Sequence, residues 1–558
     1  MIGKEIQMKP HRGIFCCLGL ILTSILVFGI GQSASEKPLT TAEATDYKAT
    51  SRHADVMDFI ARLQRLSPNL RVETLCISAE GRAVPLLVIG RPVPALPTTL
   101  HDDRRGIIYI QANIHAGEVE GKEASLMLAR DILLSDKLPY LEKLVILIAP
   151  IFNPDGNEKI SPENRRNQPG PEQGVGVRPN GQNLDLNRDS MKLESPELRG
   201  LVENVLRRWD PLLLVDCHTT NGSYHEEVVT YSWGLNPNGD SGILAFQRDK
   251  MMPEIEAGLE KNYGTPAVGY GGFRDFRAPE KGWQTFEPQP RYVTNYIGLR
   301  NRFSILDENY VYADFRTRVA GNYNFLRAIL DYCSANLEEI KRLVADADRK
   351  AVLRGFQPSE KDLFFVEYDL QPLKTPLTVH AYETEVIPRG EGQRPQLRPT
   401  DRVKVHTVPY YSDWVGKRGV RVPFAYVLGI GDSDVISNLL RHGLVVEKLK
   451  EEATLEVESF RLKEIKSADR PFQGHRLNQV TGEYVIEKKT FPAGTIIVPT
   501  AQPLGSLAAY LLEPESDDGL LVWNFFDRYI VPQWSREPQT YPVHRLLSPV
   551  NLASEIIR

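Results

Sequence analysis

The sequence predicts an α/β fold followed by a second, β-rich α+β domain, and three observations carry that prediction. Short apolar runs alternate with amphipathic helical stretches through the first two-thirds of the chain. Polar clusters rich in His, Asp, Glu, Asn and Arg stand at the ends of those apolar runs. After about residue 350 the texture changes to runs of Val, Thr, Tyr and Phe broken by Pro/Gly turns such as Pro388-Arg389-Gly390.

Residues 1–35 read as a signal peptide or an N-terminal anchor. Lys4, Lys9 and Arg12 precede an apolar run from Gly13 to Gly31, and small residues follow in Ser33-Ala34-Ser35. The run is near the length at which a membrane span becomes feasible, so the membrane is a partner only if this segment is kept. Either way the folded part is expected outside the cytoplasm, periplasmic or extracellular. The whole chain carries a formal charge of −5 with no basic stripe, which argues against nucleic acid as a partner. Beyond the N-terminal segment remain Cys76, Cys217 and Cys333, enough for one bridge and one free thiol and too few for a disulfide framework. Stability must therefore come from core burial.

The first domain is expected over residues 40–350. Val56, Phe59, Ile60 and Leu63 share one helical face, which predicts a helix over 54–66. Pro85–Gly90, Gly106–Asn113 and Leu144–Pro150 read as buried strands. Ser195-Pro196-Glu197 supplies an N-cap, a proline at the first helical position and an early acid. Leu198, Leu201, Val202, Val205, Leu206 and Trp209 continue that helix, and a strand follows over Leu212–Asp216. A further strand is read at Phe303–Leu306 and one long helix over Asn322–Ala347. In the second domain, 351–558, strands fall at Leu377–Tyr382 and Val403–Pro409, with short helices near Asp432–His442 and Leu504–Leu512. The charged stretch Glu447–Glu464 reads as a solvated strand and turn.

The chemistry concentrates in five motifs: His115-Ala116-Gly117-Glu118, Asn153-Pro154-Asp155-Gly156, Asp185-Leu186-Asn187-Arg188, Asp216-Cys217-His218 and Leu306-Asp307-Glu308. His115 and Glu118 stand just beyond one predicted strand and His218 just beyond another. Ligands of open α/β sheets bind outside the carboxyl ends of the strands, so the three can meet. Two histidines and a glutamate form a catalytic zinc set that leaves the fourth position to water. His225 is a competing ligand by proximity. His53, His101, His380, His406, His442, His475 and His544 lack matched partners and read as surface or satisfied core groups.

From Thr45 to Asn336 these motifs, in their order and near their spacing, resemble the zinc carboxypeptidases of the carboxypeptidase A type, peptidase family M14. The resemblance implies a mixed central sheet flanked by helices and one zinc ion held by His115, Glu118 and His218. It implies that Asn187 and Arg188 grip the C-terminal carboxylate of a peptide, and that Asp185 hydrogen-bonds the first zinc histidine. Arg165 most resembles the arginine that stabilises the oxyanion, with Arg166 as the alternative, and Glu308 resembles the general base. The C-terminal part resembles the accessory region of large bacterial members.

The sequence also departs from the digestive members. Gly117 stands where they carry an additional arginine, and the capping tyrosine has four candidates in Tyr292, Tyr296, Tyr310 and Tyr312. The loops Ser161–Gln182 and Gly264–Arg291 are expected to wall the site. The function expected is an exported zinc metallocarboxypeptidase acting on peptides with a free C-terminal carboxylate. Two other readings fit the motifs: a zinc amide hydrolase, either an aspartoacylase-like deacylase or a muropeptide-cleaving enzyme, and a non-catalytic binding protein on the same fold.

Overall fold

Eight strands build the central sheet of the computed structural model, which describes residues 37–95, 104–135, 138–220, 223–387, 396–530 and 539–557. The segment read as signal peptide or anchor lies outside the described residues. In chain order the strands of the first region are β1 (Leu70–Ile77), β2 (Ala83–Ile89), β3 (Gly106–Ala112), β4 (Leu144–Ala149), β5 (Leu213–Thr220), β6 (Val229–Trp233), β7 (Ala267–Gly269), β8 (Gly272–Phe273), β9 (Trp283–Gln284) and β10 (Phe303–Tyr310). The central sheet runs β1-β2-β4-β3-β5-β10-β6-β7. Its middle is parallel, β4-β3-β5-β10, and its flanks turn antiparallel at β2 and β6. The α/β expectation with a mixed sheet is met.

Successive residues of these strands face opposite cores, as the period of a strand requires. Ile108, Ile110, Ile146, Ile148 and Val215 pack on one side under the helices His53–Leu66, Glu120–Leu134 and Phe315–Ala335. Tyr109, Val145, Leu147 and Leu214 pack on the other. Both faces are covered, so β3 and β4 are apolar almost throughout, and β3, β4 and β5 are fully buried.

Two expectations are corrected in detail and a third is met with an added wider turn. β5 and β10 run about four residues further than the apolar runs suggest, so His218 and Glu308 lie inside their strands rather than beyond them. Polar residues are tolerated there because the strand ends form the floor of a cavity. The long helix is two, Phe315–Ala335 and Leu337–Phe356, broken at Asn336. The helix that Ser195 caps, through a bond from Leu198 N, starts at Pro196 and passes into a wider turn over Leu201–Leu206.

The C-terminal region adds β11 (Leu363–Pro372), β12 (Leu377–Ile387), β13 (Gln396–Val408), β14 (Tyr410–Arg421), β15 (Ala425–Leu428), β16 (Glu447–Leu449), β17 (Ala453–Ser467), β18 (Asn478–Phe491), β19 (Ile496–Pro499), β20 (Val543–Leu546) and β21 (Ser554–Ile556). Seven of them form a sheet ordered β18-β17-β20-β15-β19-β16-β21. The helices Ser433–Arg441 and Gly505–Leu512 fall where the sequence puts them.

The stretches 40–350 and 351–558 share a core: Tyr296 and Leu299 from the first lie in one buried cluster with Phe364, Tyr426 and Trp523 from the second. They share a sheet as well, ordered β11-β14-β9-β8, in which β9 pairs in parallel with β14. Cys76, Cys217 and Cys333 are all free thiols, so among the described residues no disulfide crosses this joint. Among the described residues no helix is long and apolar enough to cross a membrane.

Candidate active site

The carboxyl ends of β3, β5 and β10 come together around a cavity of about 430 Å³. β3 ends at Ala112, and the chain turns through Asn113, whose φ of +64° is left-handed and whose side-chain amide donates to the carbonyls of Ala116 and Glu118. That turn points His115 and Glu118 over the sheet edge before the helix starts at Glu120. His218 rises from β5 beside them, and Glu308 of β10 stands level with His218 in the parallel register.

His115 Nδ1, His218 Nδ1 and one oxygen of Glu118 converge. The nitrogens are 3.2 Å apart, and Glu118 Oε2 is 3.1 Å from the first and 3.0 Å from the second. The opposite ring nitrogens face carboxylates: His115 Nε2 lies 3.1 Å from Asp185 Oδ1, and His218 Nε2 lies 2.9 Å from Asp216 Oδ2. With the ring protons turned to those carboxylates, both Nδ1 lone pairs point at each other and at an anionic oxygen. A metal cation between them relieves that arrangement. Zinc at about 2.0–2.1 Å from each of three tetrahedral ligands would hold them roughly 3.3 Å apart, close to what is seen. The three residues form a metal-capable cluster, and the donor set fits one zinc ion. His225 is not part of it; its ring packs against Tyr310 and Trp283 instead.

Opposed burial and charge act on Glu118, His218 and Asp185. Burial alone would raise the Glu118 carboxyl, but the neighbouring His115 and Arg165 outweigh it and hold the group well below the ordinary range. Burial also opposes charge on His218, and Asp216 reverses the sign, raising it well above an ordinary histidine. Asp185 is likewise held down against its burial by His115 and Arg178. Glu308 differs: burial pushes its carboxyl up, Glu118 adds to this, and His218 pulls against it. Its Oε2 is buried and has no partner among the described residues. Strand alternation sends the adjacent Asp307 the other way, onto Asn322 Nδ2 at 2.8 Å, which leaves Glu308 alone of the two in the cavity.

The cavity is lined by His115, Glu118, Asn187, Arg188, His218 and Glu308 among others, so six of the residues singled out by sequence meet in one place. Asp185 sits directly behind His115. Asn187 is fixed by accepting from Val293 N at 2.8 Å, and the Arg188 guanidinium stacks 4.3 Å from the Tyr292 ring centroid. Arg165 is placed differently from its neighbours. Its Nη1 donates to Glu118 Oε1 at 3.0 Å, its Nη2 to the Thr219 carbonyl at 3.0 Å and its Nε to Gln168 at 2.7 Å, so the side chain backs the ligand set. Arg166 is exposed and pairs with Glu163.

Sequence reasoning missed Arg178, Tyr270, Phe286 and Glu287, and it named Asp216 in a motif without its role behind His218. Arg178 lines the cavity, donates from Nε to Asp185 Oδ2 at 2.8 Å and brings Nη1 to 3.8 Å from Glu118. It lies in the loop 161–182 without a motif to mark it. The role of Asp216 was legible in principle, since residues two apart on a strand share a face. Tyr270, Phe286 and Glu287 come from the loop 264–291, which does form a wall. Of the four tyrosine candidates Tyr292 alone lines the cavity, whereas Tyr296 is buried against His442. Gly117 is explained too: a Cβ there would stand 2.6 Å from Arg165 Cδ and 2.9 Å from the Gly176 carbonyl, so no arginine fits at that position.

Residues 56–231, which include all three metal-capable residues, match the model of the family described as zinc carboxypeptidase. The chain is a metallopeptidase. It is 22% identical over 491 residues to carboxypeptidase 2 of Trichophyton equinum, covering 84% of this chain and 81% of that one. Carboxypeptidase 2 of Trichophyton tonsurans is also 22% identical, over 79% of this chain and 77% of its own. These curated relatives are fungal, and the kinship with large bacterial members stays a proposal. Among solved structures, carboxypeptidase A of Helicoverpa armigera aligns at a TM-score of 0.39 and 17% identity over 52% of this chain and 75% of that chain. A metallo-carboxypeptidase of Burkholderia cenocepacia aligns at 0.37 and 19%, over 50% and 69%.

Proposed function

We propose that this metallopeptidase is an exported zinc carboxypeptidase that hydrolyses the last peptide bond of peptides bearing a free C-terminal carboxylate. The observation that carries this reading is the meeting, in one cavity, of the His115-Glu118-His218 cluster with Glu308 on one side and Asn187-Arg188 on the other. Export rests on the N-terminal basic and apolar segment of the sequence.

Zinc bound to His115, Glu118 and His218 would polarise the scissile carbonyl and lower the pKa of water. The rest is the work of the side chains. Asn187 and Arg188 receive the terminal carboxylate, the arginine through a planar fork that lysine lacks. Glu308 accepts the proton of the attacking water and delivers it to the leaving nitrogen; burial suits it, because a raised carboxyl pKa makes it a stronger base. A developing oxyanion needs a positive donor that faces the reacting atoms. Arg178 meets that requirement better than Arg165, since it lines the cavity while Arg165 backs Glu118. The oxyanion role expected of Arg165 therefore passes to Arg178 in this reading.

The test is to incubate the zinc-loaded protein with free-acid and C-terminally amidated versions of the same peptides and follow products by mass spectrometry, with Glu308→Gln in parallel. Stepwise loss of residues from the free acids only, absent in the variant, is the expected result. Cleavage of amidated peptides, or of acyl-amino acids alone, would transfer the site to another amide hydrolase.

A further inference from the structure

A hairpin of the C-terminal region reaches the residues that stand behind the catalytic cavity. Strands β17 and β18 are joined by a loop whose tip, Phe472-Gln473-Gly474-His475, is a tight turn closed by mutual backbone bonds between Phe472 and His475 at 2.8 and 3.0 Å. Gln473 and Gly474 both have positive φ, +51° and +82°, as a two-residue turn of this hand demands. Gln473 therefore holds a conformation that its Cβ disfavours, and the surrounding contacts keep it there. His475 bonds Glu194 at 2.6 Å and Asn524 at 3.2 Å. Phe472 lies 6.2 Å from the Trp523 ring, and the Arg291 guanidinium lies over both rings.

From this anchored tip the Gln473 side-chain oxygen accepts the backbone N–H of Asp185 at 2.8 Å. Asp185 is a hub. One of its oxygens faces His115 Nε2 at 3.1 Å and caps Asn187 N at 3.0 Å, and the other takes Arg178 Nε at 2.8 Å. One backbone bond from the C-terminal region thus stands behind a metal ligand, the carboxylate grip and the cavity arginine.

We propose that the hairpin tip Phe472–His475 is a positioning element of the active site, in which Gln473 sets Asp185 and through it His115, Arg178 and Asn187. The C-terminal region then takes part in the reaction rather than only covering the core. The inference rests on the peptidase reading for its kinetic consequences but not for its consequences on metal retention.

Gln473→Asn separates the two roles that the residue could have. Asparagine adopts positive φ more readily than glutamine, so the turn keeps or gains stability. Its amide is one methylene too short to reach Asp185. Gln473→Glu keeps an acceptor oxygen at the same reach and serves as the conservative control. Each full-length protein is loaded with zinc, and three quantities are read: Tm, the half-life of bound zinc against a chelator, and kcat and KM on a free-acid peptide. Partners beyond the ligands typically affect metal affinity or activity about 10–100-fold. Gln473 acts one step further out, so a loss of roughly 3–10-fold in zinc half-life and in kcat/KM is expected for Gln473→Asn, with Tm unchanged or higher. Gln473→Glu should recover most of the zinc half-life. Zinc retention and kcat/KM both within twofold of the parent in Gln473→Asn would overturn the proposal. If the parent itself cleaves no peptide, the peptidase reading fails, and the zinc half-lives still decide the positioning role.

Discussion

Arg165 Nη1 donates to Glu118 Oε1, while the other carboxylate oxygen, Oε2, is the one that faces His115 and His218. The arginine occupies one oxygen and leaves one for a metal, and it brings a positive charge that keeps the carboxylate ionised in a buried setting. A buried carboxylate without such support would favour its protonated form.

Arg165→Gln should therefore act on metal binding first. The expected change is a loss of zinc affinity of about 10–100-fold, read by competition with a chromogenic chelator. Zinc affinity at the parent level with a large fall in kcat would instead return the oxyanion role to Arg165.

Arg178→Ala should lower kcat by roughly 10²–10³-fold with a smaller change in KM, the pattern for loss of a donor that acts on the transition state. Added guanidinium should restore part of the rate. Unchanged kcat would remove Arg178 from the mechanism.

Arg188→Ala should lose selectivity for the free acid. Charge-assisted hydrogen bonds contribute about 1.5–3 kcal/mol, so kcat/KM on free-acid peptides should fall about 10–100-fold while the low rate on amidated peptides stays put. The ratio of the two rates is the measurement, and a preserved ratio speaks against the grip.

His442 predicts a pH dependence of stability away from the catalytic centre. It is fully buried, with Nδ1 against the Tyr296 hydroxyl at 2.7 Å and Nε2 against the Met191 carbonyl at 3.1 Å. These partners suit a neutral ring that accepts at Nδ1 and donates at Nε2. Burial first, then the charges of Arg300 and Arg441, push its pKa down from 6.5 to about 3. Between those values the unfolded chain takes up a proton that the folded chain refuses. Stability from this group is complete above about pH 6.5 and declines as pH falls toward 3, by up to about 1.4 kcal/mol per pH unit. Urea unfolding of the parent and of His442→Gln across pH 4–7 should give a flatter profile for the variant. Parallel profiles would assign the acid sensitivity to other groups.

Of the central sheet, β2, β3, β4, β5 and β10 were legible because they carry short apolar runs, whereas β1, β6 and β7 were not. Val56, Phe59, Ile60 and Leu63 of the helix His53–Leu66 are all buried as their spacing requires. Strand ends were not legible: β5 and β10 finish in polar residues that look like loop until the cavity they line is known. That His115, Glu118, His218, Asn187 and Arg188 would meet in one cavity could be read because their motifs are local. Arg178 and Gln473 could not, since each matters through a residue distant in sequence, and neither stands in a pattern that periodicity detects. The break at Asn336 escaped because both flanking helices present apolar residues to the same core and no glycine or proline marks the joint.

The wall that carries Tyr270, Phe286 and Glu287 is stitched into a foreign sheet: Trp283 N and Thr285 N bond the carbonyls of Pro409 and Tyr411, and Trp414 Nε1 bonds the Phe286 carbonyl. A loop held this way has little freedom to lengthen, shorten or swing. Lineages that diversify a free loop can retune a pocket by insertion and deletion. Here that route would tear a sheet, so new side-chain preferences should arise by single substitutions at positions such as Glu287, and a designer who wants to alter selectivity should exchange residues rather than graft loops.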